Sequence, residues 1–376
     1  MATLTIAHEG VLFRNPEPGI RALCAYLPNI VPLSDDELLC FFRLGQAFYS
    51  LDGRIGQLRS TDGGRTWADE TATWAATAGP GWTYTAPHGS RLADGTVLLL
   101  AQRHPAADAE AVRFNPATGG MRPGDVVLFR SADGGRMWSS AEVLDLGTRD
   151  AIDTPSAVIE LPDGTLFLAC EQWKTWEDAS PLHIRGFALF STDRGRTWGG
   201  RVDVPSATDD TRMYSHSRYT QMRDGSIGAL QWAQSIGGDE NFDLHLVTSD
   251  STGRAWSQPR PTGIAAQTSW LADLGEGRLA AAFTDRKGMQ PGIFVALSTD
   301  AGRTWDLEHR LMAWDAVGQE FLGVSQRPAY PASHDNIAFG KPNLAVLPSG
   351  DLVVAWWCTQ ACVTHTRYAR LRMGWS

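Results

Sequence analysis

Two interleaved repeats predict an all-β chain folded as a six-bladed β-propeller, each blade a four-stranded antiparallel sheet. The first is an octapeptide, Ser-x-Asp-x-Gly-x-x-Trp. It occupies residues 60–67, 131–138, 191–198 and 298–305, and a variant at 249–256 carries its acid one place earlier. The second is a pair of short apolar runs joined by a tight turn, found at residues 30–42, 90–101, 156–169, 218–230, 270–283 and 343–357. Between them there is almost no apolar periodicity of the helical kind. Self-similarity at a regular spacing is the mark of a repeat architecture. Six sheets set radially around an axis protect their own edges.

The elements follow in order. The hairpin turns are at residues 34–36, Asp94-Gly95, Asp163-Gly164, Asp224-Gly225, Glu276-Gly277 and Ser349-Gly350. Asp-Gly between apolar runs favours a tight hairpin because the turn needs positive φ. A third strand precedes each octapeptide, as at residues 125–130 and 186–190, and a fourth follows it, as at 143–146. The sixth unit lacks the octapeptide. Ring closure then predicts that its outer strands come from residues 366–372 and from the N-terminal stretch 4–13. Residues 1–376 read as one domain without a linker. The longest excursions, 69–87, 102–124 and 307–340, are candidate functional loops.

Composition narrows the function classes. The 376 residues carry a formal net charge of -9 and no run of Lys or Arg, which argues against nucleic acid or an anionic membrane as partner. A local basic pocket for a small anion stays open. The five cysteines are odd in number and sparse, which does not suggest a disulfide framework. Cys358 and Cys362 have no second Cys/His pair at ligand spacing, and no cofactor motif occurs, so neither metal nor cofactor is expected. The first nine residues do not read as a signal peptide and no apolar run reaches membrane-spanning length; the expectation is a cytoplasmic protein. Nothing in the sequence specifies an oligomeric state.

The innermost strands of a propeller open around its axis, so residues just before each hairpin turn can be aligned between units. One position gives Asn29, His88, Ala157, Arg218, Trp270 and Asn343; two places earlier stand Leu27, Ala86, Pro155, His216, Thr268 and Lys341. Residues two apart share a strand face. His216 with Arg218, and Lys341 with Asn343, are thus expected on one side. Tyr214 and Tyr219 flank the first pair, and Asp150 and Asp153 lie just ahead of the third unit. One reading is a ring of polar side chains around a water-filled tunnel. The other is a pocket for an anionic sugar. There Arg218 and Lys341 would hold a carboxylate, His88 and His216 would move protons, and Asn29, Asn343 and Trp270 would bind the ring.

The octapeptide resembles the Asp-box, or BNR repeat, of the sialidase superfamily, and the resemblance covers nearly the whole chain. It implies a structural role for the boxes and a six-bladed propeller; fold alone does not give function. It also locates the family's site residues. Where sialidases open their first inner strand with aromatic-Arg-Ile-Pro, this chain reads Ala25-Tyr26-Leu27-Pro28. Asp52 falls near the family's acid/base Asp. Lys341 stands at the nucleophilic Tyr and His216 at its assisting Glu. Gln231-Trp232 and Gln290-Pro291 stand near the remaining arginines of the carboxylate triad. The scaffold matches while the sialidase site is largely replaced.

The expected function is cleavage of a glycosidic bond in an acidic glycan or oligosaccharide, uronate- or sialate-type, by exo-hydrolysis as the resemblance implies. Hydrolysis would use Asp52 as acid, with Asp153, Glu171 or the Asp239/Glu240 pair as second carboxylate. The first alternative is β-elimination beside a uronate, with His88, His216 and Tyr219 moving protons. The second is a propeller that binds glycan or protein without catalysis.

Overall fold

The structure, a computed structural model, describes residues 2–74, 80–107, 112–153, 155–205, 211–236, 240–288, 290–317 and 338–375. Six antiparallel sheets make up the fold. The N-terminal strand β1 (Ala2–Phe13) is set aside for the last of them. Blade 1 is β2 (Cys24–Pro32), β3 (Leu38–Gly45), β4 (Arg54–Ser60) and β5 (Ala68–Asp69). Blade 2 is β6 (Trp82–Arg91), β7 (Val97–Pro105), β8 (Asp125–Ser131) and β9 (Glu142–Val143). In blade 3 the inner strand is split into β10 (Ile152–Asp153) and β11 (Ile159–Glu160), both paired with β12 (Leu166–Trp173), and β13 (Ile184–Ser191) and β14 (Gly199–Val204) follow. Blade 4 is β15 (Arg212–Gln221), β16 (Ile227–Ser235), β17 (His245–Thr248) and β18 (Arg260–Pro261). Blade 5 is β19 (Ser269–Gly275), β20 (Arg278–Asp285), β21 (Gly292–Ser298) and β22 (Asp306–Asp315).

Blade 6 runs β23 (Phe339–Val346), β24 (Leu352–Gln360), β25 (Val363–Trp375) and then β1, so the two ends of the chain close the ring in one sheet. The pairing extends from Ala2↔Trp375 to Phe13↔Thr366. Closure by residues 366–372 and 4–13 is as the sequence predicts. One expectation needs correction: the excursion 307–340 begins as strand β22, which completes blade 5, and its remaining part, 318–337, lies outside the described residues.

Each sheet is covered on both faces by its neighbours, which is why the second strands read as unbroken apolar runs. Every residue of β3 is buried. An apolar cluster fills each junction between adjacent blades. Phe41, Leu99 and Phe129 pack between blades 1 and 2; Phe167, Tyr219 and Val247 pack between blades 3 and 4.

The octapeptides are turn devices. In the first, Ser60 Oγ accepts the Gly64 N–H at 2.8 Å, and Asp62 accepts the Thr66 N–H and hydroxyl at 2.9 and 2.6 Å. Trp67 Nε1 donates to the Gly64 carbonyl at 3.0 Å. Gly63 and Gly64 take φ of 72° and 89°, a region that only glycine enters without cost. These bonds hold the Asp62 carboxyl far below the usual carboxylate range, the Thr66 bonds first. The box carbonyls also receive arginines from the preceding blade: Arg59 reaches Gly134, Arg130 reaches Gly195, Arg260 reaches Gly302 and Arg370 reaches Gly63. In an up-and-down sheet the boxes and the inner hairpin turns share one face. The inner-strand openings lie on the other.

Candidate functional site around the axis

Four inner strands carry the same irregularity at their open ends. The ladders slip between Tyr26 and Asn29, Thr85 and His88, Ser215 and Arg218, and Gly340 and Asn343. At each slip one side-chain-bearing residue takes positive φ: Leu27 at 58°, Ala86 at 49°, His216 at 51° and Lys341 at 45°. Side-chain-bearing residues rarely adopt this region, and such outliers cluster where a structure re-aims a side chain. The bulge corrects the expected two-residue alternation. His216 and Arg218 do line one cavity, as do Lys341 and Asn343. What brings them together is the extra residue in the strand, not a plain pleat.

The backbone amides near each bulge are capped from the preceding blade. Asn343 Oδ1 accepts the Ile30 N–H at 2.7 Å, and Asn29 Oδ1 accepts the Gly89 N–H at 2.8 Å. Thr268 Oγ1 accepts the Lys341 N–H at 3.1 Å. Glu171 accepts two, from His216 and Ser217, both at 2.8 Å. An unpaired amide in such a place would cost about 1–3 kcal/mol.

The axial cavity is framed by His88, His216, Arg218, Trp270, Lys341 and Asn343. Its free space is about 20 Å³, room for about one water molecule. His216 stacks on Trp232 with ring centroids 5.5 Å apart and 18° between planes. Its Nδ1 lies 3.7 Å from Asp153 Oδ2, and Asp153 Oδ1 lies 3.7 Å from Arg113. Trp270 presents its ring 6.1 Å from His88.

Charge within this cluster is finely divided. Burial, reinforced by Asp153, raises the Glu171 carboxyl to about 7 against the pull of Arg218 and the two amides. Burial brings the Lys341 ammonium down to about 8; Asp153 opposes that shift and Arg218 adds to it. His88 is pushed well below the ordinary histidine range by burial and by Arg218 and Lys341, so its ring is neutral. Asp153, Glu171 and His216 each offer an atom within 4.8 Å of the others, a spacing a metal ion would accept. Arg218, Lys341 and Arg113 already surround them with positive charge, and both Glu171 oxygens hold backbone amides. That surrounding positive charge makes the set a poor match for a dication.

Three expected site residues fall elsewhere. Tyr219 follows the bulge, points into the junction of blades 3 and 4, and packs on Phe167 and Trp256, both at 5.8 Å between centroids. Burial raises its hydroxyl far above the ordinary tyrosine range. Asp52 is exposed in the β3–β4 turn, where its carboxylate accepts the Gln46 N–H at 3.0 Å, and it does not line the axial cavity. Asn29 is a capping residue and does not line the cavity either. Of the second-carboxylate candidates, Asp153 and Glu171 lie against the axial set, while Asp239 is outside the described residues. Tyr26, in the place of the family arginine, packs against Phe48 and Trp357.

The sequence pattern of the BNR repeat-like domain matches residues 122–317. A sialidase of Micromonospora viridifaciens is 27% identical over 205 residues, which are 49% of this chain and 31% of that protein. The chain therefore matches about a third of that relative's length. A Dyadobacter fermentans protein of unknown function superimposes with a TM-score of 0.72 at 16% identity over 99% of both chains. A Penicillium chrysogenum alpha-L-arabinanase complexed with arabinobiose superimposes with a TM-score of 0.61 at 14% identity, over 97% of this chain and 98% of that one.

Proposed function

The chain belongs to the BNR repeat-like family of the sialidase superfamily, and on that premise we propose that it cleaves a glycosidic bond in an acidic glycan at the axial cluster. The observation that carries this reading is His216. It faces the cavity from a positive-φ bulge, stacked on Trp232, with Asp153 at 3.7 Å behind it. A carboxylate beside an imidazole sets its orientation and stabilises its protonated form, which suits it to accept and return a proton near neutral pH. Arg218 and Lys341 flank it and supply the positive charge that an anionic sugar would meet. Related folds act on different sugars, as a sialidase and an arabinanase do. The preference for an acidic glycan is therefore argued from this chain's own cations.

The narrowness of the cavity limits the pose. About 20 Å³ admits a glycosidic oxygen or a water but not a sugar ring. The ring would lie across the open face, with Trp270 beneath it and the scissile oxygen turned toward His216. In hydrolysis protonated His216 would give its proton to the departing oxygen as the glycosidic C–O bond breaks, water would bond to the anomeric carbon, and the proton that water releases would return to His216, held in place by Asp153.

The groups that face the cavity are imidazole, guanidinium and ammonium, while the carboxylates stand behind them. That placement also favours a second reading, β-elimination beside a uronate, with Lys341 or His88 taking the proton adjacent to the carboxylate. Incubation with sialyl and uronate oligosaccharides tests both. Hydrolysis releases a saturated sugar, and elimination leaves an unsaturated uronate that absorbs in the ultraviolet. Replacing His216 by Ala is expected to lower turnover roughly 100-fold or more, the usual contribution of a positioned acid or base, while leaving KM within a few-fold. No product of either kind, or full turnover by the variant, would refute the assignment.

A further inference from the structure

A roomy cavity lies off the axis, between the open ends of blades 1 and 2. It holds about 300 Å³; its polar lining includes Arg43, Arg113, Tyr49, Thr83, Thr85 and His104, with Arg122 at its side tied to the Val112 carbonyl. A space of that size admits a small ligand. Arg43 ends the apolar run of β3 and is only 1% exposed. Its guanidinium makes one hydrogen bond, from Nη2 to the Ser50 carbonyl at 2.6 Å. Nε and Nη1 have no hydrogen-bond partner. No carboxylate of the described residues comes within ion-pairing range of it. The backbone is cleared around it: a Cβ on Gly45 would fall 2.5 Å from Nη1, and one on Gly53 would fall 2.5 Å from Nη2.

Arg113 approaches from the 112–123 segment of blade 2. Nη1 donates to His104 Nε2 at 2.6 Å and Nη2 to Gln102 Oε1 at 3.0 Å, while Nε is buried with no partner. It lies over the Tyr49 ring, 5.5 Å from the centroid. The bond to His104 fixes that ring as an acceptor, and burial together with Arg113 lowers it to about 3, so it brings no further charge. Burial brings Arg43 down to about 10; Asp52 opposes that shift, and the guanidinium of Arg113 across the cavity adds to it. Asp153 touches Arg113 from the axial side at 3.7 Å. Arg43 makes no direct ion pair among the described residues; Asp52 is the carboxylate that acts on it, from beyond contact.

A buried, unpaired guanidinium is costly unless an anion meets it. Two planar donor sets converging on an open space suit an oxyanion with parallel oxygens. The threonine hydroxyls and the Tyr49 ring suit the body of a sugar. We propose that this off-axis cavity is an oxyanion subsite in which Arg43 and Arg113 hold the carboxylate or sulfate of an acidic sugar. Such a subsite stands whether or not bond cleavage occurs at the axis.

The test is calorimetric titration of the full chain with glucuronate, glucose 6-sulfate and glucose at fixed ionic strength. The acids are expected to bind saturably and glucose not to bind. Whichever acid binds more tightly identifies the oxyanion. Arg43→Met and Arg113→Gln are each expected to weaken binding roughly tenfold or more, whereas Arg196→Met, at an exposed box residue outside both cavities, leaves it unchanged. Arg113→Gln alone decides the matter if Arg43→Met does not fold. Failure of both acids to bind the wild type, or undiminished binding by Arg113→Gln, overturns the proposal. So does loss of binding on Arg218→Met, which would place the anion at the axis. Turnover plays no part in this readout, so its outcome is separate from the fate of the cleavage reading.

Discussion

Glu171→Gln isolates the electrostatic cost held at the axis. The wild-type carboxyl is raised from 4.5 to about 7, first by burial and then by Asp153, while two backbone amides hold it in place. A folded-state value above the unfolded one means that the folded chain binds the proton more tightly. That contribution is complete below about pH 4.5 and is lost as pH rises through about 7. At about 1.4 kcal/mol per pH unit, the loss amounts to about 3 kcal/mol. Unfolding entropy of about 2.1 cal/mol/K per residue gives about 0.8 kcal/mol/K for a chain of 376 residues. The carboxyl should therefore lower Tm by about 4 °C between about pH 4.5 and pH 8.

Glutamine cannot ionise, so the variant lacks this term. Its amide nitrogen, however, must face one of the two backbone N–H donors, a mismatch worth about 1–3 kcal/mol at every pH. At low pH the variant should melt below the wild type. Toward pH 8 the gap should close or change sign. Paired calorimetric scans of wild type and variant across that range measure the difference directly, with other titrations common to both. A Tm difference that stays constant within about 1 °C would refute the account of a carboxyl made costly by burial.

Other expectations concern the scaffold. Ser131→Ala removes the hydroxyl that accepts the Gly135 N–H at 2.8 Å in the second box; it should cost about 1 kcal/mol in urea unfolding and leave ligand binding unchanged, because the boxes lie on the face away from the axis. Ala86→Gly should be neutral or stabilising by up to about 1 kcal/mol, since φ is 49° there, whereas Ala101→Gly in β7 should destabilise by a similar amount in the same unfolding assay. Deleting residues 1–13 removes β1 from its pairing with β25. It should lower Tm and expose a sheet edge that promotes self-association, read by light scattering.

How much was legible beforehand varied with the range of the interaction. The boxes, the inner hairpins and the closing strands are local patterns, and the six blades fall where those patterns put them, although β22 and the start of β6 occupy stretches expected as loops. His88, His216, Arg218, Trp270, Lys341 and Asn343 could be aligned between units, and the structure brings all of them to one cavity. Tyr219 was misplaced because the bulge before Arg218 cannot be seen in a run of residues that could all be strand. Asn29 looked like a ligand-facing amide because its acceptor role depends on Gly89 in the next blade. Arg43 and Arg113 drew no notice: one is a single polar residue ending an apolar run, the other sits in a loop. The available signal was the polar residue interrupting each second strand, Arg43, Gln102 and Glu171, at the end that opens toward the axis.

The sequence by itself determined the number of blades, the order of their strands and the structural nature of the boxes. Those features rest on turn chemistry and apolar patterning within a few residues, and these repeat along the chain. The tertiary structure alone decided which polar groups meet. Glu171 braces the strand that bears His216, Asp153 stands behind its ring, and Arg43 and Arg113 line one off-axis cavity. Each of these contacts joins different blades or different loops. It depends on bulges and close approaches that only the closed ring enforces.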